Sequence, residues 1–192
     1  MSVSASLVRK IMRGSVWARN ITSVLFAFGL VTVIFLCVPV AMGGIAGQPV
    51  TVGPYVFASA ALEPWTARLY VLLVLVVSGA LAMAALLIIR SVFANLAQGN
   101  VFCEANVRHI RNLGWLTIAG GILCSLIPVA DAAYVMLTDH HGITFQDPST
   151  LFTGLAQILN GGLYLLASWI MAVGLGVRED VEELRYDAEL VI

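Results

Sequence analysis

Asp139-His140-His141, with Asp147 close behind, carries the imidazole and carboxylate groups that suit a divalent metal. Neighbouring histidines on a flexible connector do not converge on one ion, so the expectation here is a solvated loop and no metal. A second set stands out by its surroundings. Arg68, Asp131, Gln157 and Asn160 lie at the ends of long apolar runs or a few turns inside them. Polar groups at membrane depth are costly and often mark a binding site, which makes these four the candidate ligand residues. Mutual hydrogen bonds that only fasten helices are the simpler reading of the same four. Catalysis has no comparable pattern: there is no Ser/His/Asp set, no phosphate-binding glycine loop and no HExxH. Because no histidine falls inside an apolar run, a haem is not expected either. The sequence predicts no enzyme and no cofactor.

The elements that must position these residues follow from composition. Of 192 residues, 60% are hydrophobic and 11% charged, where a soluble domain carries roughly 25% charged residues. Apolar runs cover about 21–42, 67–89, 113–134 and 152–177, each near or above the roughly 20 residues a helix needs to cross a hydrocarbon core. The predicted fold is all-α: a single integral membrane domain over 1–192, built as an up-and-down four-helix bundle with a connector at 90–112 and a tail at 178–192. The first run exceeds the usual signal-peptide core of about 7 to 15 residues and is expected to be a retained helix. A net charge of -1 gives no reason to expect direct nucleic-acid binding.

Orientation follows from the basic residues. Four of the ten precede the first run (Arg9, Lys10, Arg13, Arg19), three lie in the connector (Arg90, Arg108, Arg111), two follow the last run (Arg178, Arg185), and Arg68 alone lies on the other side. By the positive-inside rule both termini and the connector are expected in the cytoplasm of a bacterium, with the chain in the inner membrane. Cys37 and Cys124 fall inside runs and Cys103 in the connector, a spacing that implies neither disulfide nor zinc site.

The connector is the most definite local pattern: NLAQGNVFCEANVRHIRNLGWL, from Asn95 to Leu116. Helix two is expected to begin near Pro64 and to run on to Gly99, the residue type found just beyond a helix end. A new helix should open at Cys103-Glu104-Ala105-Asn106, with Phe102 docked under the bundle and Arg108, His109 and Arg111 facing water. Gly99, Phe102, Asn106, Ile110, Arg111, Leu113 and Gly114 resemble the connector of the DUF2975 family of bacterial membrane proteins, G-x-x-F-(T/S)-x-x-N followed by L/I-R-x-(L/I)-G. The acidic, apolar-ended tail is similar to that family's terminus. The resemblance implies a four-span protein whose turn is set by Gly99, Phe102, Asn106 and Gly114. It also implies a regulatory role beside a small helix-turn-helix DNA-binding protein, and it assigns no chemistry. Cys103 departs from the family pattern, which has a hydroxyl there that caps the next helix.

Small residues at four-residue spacing, Thr117/Gly121/Ser125 and Ser168/Ala172/Gly176, are the expected helix-packing faces. Pro39 and Pro128 should kink helices one and three. The functional expectation is a regulatory or scaffolding membrane protein acting through cytoplasmic contacts. Its docking residues would be Arg108 and Arg111 in the connector with Glu179 and Glu183 in the tail. The competing reading is a binder or transporter of a small ligand at Arg68, Asp131, Gln157 and Asn160. Besides the lipid bilayer and the DNA-binding regulator, a second copy of the chain is a possible partner.

Overall fold

The computed structural model describes residues 5–42, 50–52, 55–57, 65–138, 143–145 and 149–190. Four long helices dominate: α1 (Ala5–Ala41), α2 (Trp65–Ala97), α3 (Glu104–Thr138) and α4 (Ser149–Leu190). Each contains a stretch long and apolar enough to cross a membrane, as expected of a multi-pass membrane protein. The helices nevertheless outrun the apolar runs. α4, with 42 residues, is about 63 Å long at 1.5 Å per residue, twice the roughly 30 Å of a hydrocarbon core.

α1 packs antiparallel on α2 and α3 on α4, as three sets of contacts require. Val40 near the end of α1 is buried with Val71 and Leu75 near the start of α2. Further along the pair, Val33 faces Gly79 and Met83 meets Gly29, where a Cβ would collide with its Cε. Between α3 and α4 the same reversal holds, Gly114 meeting Gly161 and Gly121 meeting Gly154. α2 also packs on α3, whereas α1 and α4 share no comparable contact among the described residues. The described residues therefore form two helical hairpins joined through α2 and α3.

Outside the helices, the all-α expectation needs one addition. Val50–Val52 (β1), Tyr55–Phe57 (β2) and Ile143–Phe145 (β3) form an antiparallel sheet in the order β1-β2-β3. Thr51 pairs with Val56, and Val56 with Thr144, so the sheet ties the α1–α2 connector to the α3–α4 connector. Strands three residues long leave almost no periodicity to detect, although VTV, YVF and ITF hold the β-branched and aromatic residues that favour pleated structure.

Small residues explain how α3 and α4 come so close. A Cβ added at Gly121 would lie 2.7 Å from the Gly154 carbonyl oxygen, and one at Gly161 would lie 2.7 Å from that of Gly114. Backbone meets backbone at both levels, which allows Cα–H···O contacts that any larger residue would prevent. The face on α4 is Gly154, Gly161 and Ser168, at seven-residue spacing, rather than the predicted Ser168/Ala172/Gly176. On α3, Gly121 and Ser125 are used as predicted, and Gly114 joins them. Seven is the natural repeat for two long helices wrapping at a shallow left-handed angle, because 3.5 residues per turn keeps one stripe on the partner.

Candidate functional site

The turn between α2 and α3 has the most completely defined polar geometry in the chain. Gly99 has φ 83°, in the left-handed region that glycine alone enters without strain. Around it the Asn100 N–H donates to the Asn95 carbonyl at 3.0 Å, and the Gly99 N–H donates to the Leu96 carbonyl at 3.0 Å. This paired pattern is a Schellman cap, and it closes α2 where the sequence placed the end.

Asn106 then locks the turn from the other side. It is fully buried, and its Nδ2 donates to the carbonyls of Asn100 (2.8 Å) and Val101 (3.0 Å). Its Oδ1 accepts from Asn95 Nδ2 at 2.8 Å. Since carbonyls can only accept, the two of them fix which end of the Asn106 amide is nitrogen, and that in turn fixes Asn95. One side chain thus joins the end of α2, the turn and the start of α3.

The other predicted turn residues behave differently. Phe102 does not dock under the bundle: it is 52% exposed, and its Cε1 lies 3.9 Å from where a Cβ on Gly174 of α4 would sit. Gly114 lies within α3, buried against Leu165 and Gly161, so its role is helix packing rather than turn formation. Cys103, in the capping position before Glu104, directs its thiol to the Asn100 carbonyl at 3.6 Å, and its backbone carbonyl accepts from the Asn106 and Val107 amides of α3. Of the 90–112 connector, only residues 98–103 lie between α2 and α3, and the rest belongs to the two helices.

The candidate docking residues lie on exposed stretches of α3 and α4. Arg108 pairs with Glu104 one turn back at 3.9 Å, both well exposed, while Arg111 is exposed and His109 half-buried. On α4, Arg178 pairs with Glu182 at 2.9 Å and Arg185 with Glu189 at 3.5 Å, again within the helix. Every residue from 177 to 189 is exposed. Glu179 and Glu183 have no ion-pair partner among the described residues, and the tail makes no ion pair with Arg108 or Arg111. The resting contact between connector and tail is therefore not formed. The reason is length: α4 is level with the turn at Gly174, beside Phe102, and continues for about 24 Å beyond it.

Two of the four candidate ligand residues, Gln157 and Asn160, lie at other levels of the α3–α4 pair than Asp131. Gln157 is half-buried on α4 beside Gly120, eleven residues from Asp131 along α3, or about 16 Å. Asn160 adjoins Gly161, whose partner Gly114 is seventeen residues from Asp131, or about 25 Å. Arg68 is half-buried in the first turn of α2, and the Asp131 side chain lies outside the described residues. Asp139, His140, His141 and Asp147 also lie outside them. Among the described residues no group of three metal-ligating side chains occurs. The chain matches no protein-family model, no curated protein and no solved structure.

Proposed function

We propose that this chain is an integral protein of the bacterial inner membrane that regulates or scaffolds through cytoplasmic protein–protein contacts. In this reading the helices run up and down through the bilayer with both termini and the 98–103 turn inside the cell. The distribution of basic residues supports that orientation, with nine on one side and Arg68 on the other. One observation carries the functional reading: α4 leaves the apolar span and continues as a fully exposed, acid-rich helix whose Glu179 and Glu183 are unpaired among the described residues. A helix end needed only to stop a span has no reason to extend so far.

The partner class is a basic protein, and the connector's resemblance to DUF2975 suggests a small helix-turn-helix regulator in particular. Arg108 and Arg111 supply a second, basic face near the turn. Exposed ion pairs are worth about 0 to 1 kcal/mol each, so binding there is readily reversible, as a regulatory contact requires. The test is crosslinking and capture from native membranes with three forms: wild type, a chain lacking residues 179–192, and an Arg108→Glu/Arg111→Glu variant. Loss of one specific cytoplasmic protein from either variant, with the helices intact, is the expected result. Unchanged capture and an unchanged cellular response in both variants would reject the reading.

A further inference from the structure

We propose that α4 pairs in parallel with α4 of a second copy of this chain, along a seven-residue stripe from Asn160 to the end of the helix. The stripe is clearest where the chain has left the apolar span and a hydrophobic side chain has no lipid to face. There Val177, Val181, Leu184 and Ala188 recur at spacings of four, three and four, the repeat of a two-stranded coiled coil. Val181 is 57% exposed and Leu184 68% exposed, and nothing among the described residues covers them. With Val181 at position a and Leu184 at position d, the branching pattern is the one that favours two parallel strands.

Charge placement agrees with that assignment. Glu179, Glu182, Glu183 and Glu189 take the outer positions b, c and f, away from the seam. Asp180 takes g and Arg185 the following e, so in a parallel pair each Asp180 faces Arg185 of the other copy. An antiparallel pair would instead bring Arg178 and Arg185 against each other, and Asp180 against Asp187. Like charges therefore select the parallel arrangement, which two copies inserted in the same direction must also adopt.

Followed back into the span, the same register runs through Gly174, Ile170, Ala167, Leu163 and Asn160. Ile170 and Leu163 stand on the exposed side, and Asn160 is exposed at an a position with no hydrogen bond among the described residues. An amide in hydrocarbon needs a partner, and an amide is both donor and acceptor. Its image in a second copy satisfies both ends at once, and a lone a-position asparagine is a known device for fixing register and pairing number. This face is separate from the one α4 turns to α3, which holds Gly154, Gly161 and Ser168. At Gly174, an a position, Phe102 of the same chain lies against the seam, its Cε1 3.9 Å from where a Cβ would sit.

The inference does not rest on the cytoplasmic docking reading and is tested with this chain alone, in liposomes at defined protein-to-lipid ratios. Energy transfer between labelled copies measures pairing. Asn160→Leu should weaken it about three- to tenfold, within the range measured for interhelical hydrogen bonds in membranes. Asp180→Arg should weaken it as well, and adding Arg185→Asp to the same chain should restore it. In native vesicles, with Cys37, Cys103 and Cys124 replaced by alanine, Val181→Cys and Leu184→Cys should give disulfide-linked dimers, while Glu179→Cys and Tyr186→Cys should not. A monomer at every protein density overturns the proposal, as does equal crosslinking at all four positions. So does a dimer indifferent to both Asn160→Leu and the charge exchange.

Discussion

Replacing Asn106 by alanine removes three hydrogen bonds in one step, and the structure sets how much each should matter. At about 1 kcal/mol net per bond, the loss is about 3 kcal/mol. The stranded groups do not weigh equally. Asn100 is exposed, so its carbonyl can take water, whereas Val101 and the Asn95 amide are half-buried and are left poorly satisfied. Asn106→Asp is the sharper probe, because it keeps the shape and the bond from Asn95 while turning the donor toward Asn100 and Val101 into an acceptor. It should be at least as damaging as alanine at neutral pH. Asn95→Ala, which removes a single bond, should cost only about 1 kcal/mol. Reversible denaturant unfolding in detergent micelles, followed by tryptophan fluorescence, measures all three. The expected order of damage is Asn106→Asp, then Asn106→Ala, then Asn95→Ala. If Asn106→Ala unfolds within about 0.5 kcal/mol of the wild type, or aspartate is better tolerated than alanine, Asn106 does not hold the turn.

Gly154→Ala places a Cβ against Ser125 Oγ and 2.8 Å from the Gly121 carbonyl, so it should destabilise the chain by about 1 to 3 kcal/mol in the same assay. Gly162→Ala meets nothing within 4 Å and should be neutral or stabilising by up to about 1 kcal/mol. Gly99→Ala forces a side chain into the left-handed region and should cost about 1 kcal/mol, read from the same unfolding curves. Phe102→Ala should cost about 1 kcal/mol, since half of the ring already faces outward. A reporter active only in the cytoplasm, fused after Ile192, should be active, and activity only of an external reporter would invert the proposed orientation.

The number of spans and the limits of α2 could be read from the sequence because both rest on local physics. A hydrocarbon core demands about 20 apolar residues wherever it is crossed, and Gly99 ends a helix through its own backbone freedom. Asn106 could be singled out by its place in the connector, but its three bonds depend on how Asn95, Asn100 and Val101 come around it. The level of Gln157 and Asn160 was not legible for a related reason: both share one end of the sequence map with Asp131, yet their depth is fixed by the α3–α4 register. That register is set by Gly121 on Gly154 and Gly114 on Gly161. Its signal is glycines seven apart, a period that small residues at four-residue spacing do not reveal.

The two stripes on α4 obey one geometric constraint, and that is what allows a single helix to carry both. A stripe repeating every seven residues drifts by about 20° per heptad around a straight helix of 3.6 residues per turn. Gly154, Gly161 and Ser168 drift at that rate, and so do Asn160, Ala167, Gly174 and Val181. The separation between the faces therefore stays constant along the helix, so a left-handed supercoil suited to one seam suits the other as well. Had either face repeated at four-residue spacing, the bend suited to one seam would have carried the other out of reach within a few turns. The glycine face works by close backbone approach, which serves inside lipid where apolar burial gains nothing. On the second face the a positions pass from Ala167 and Gly174 to Val181, which with Leu184 would gain from apolar burial wherever α4 stands in water.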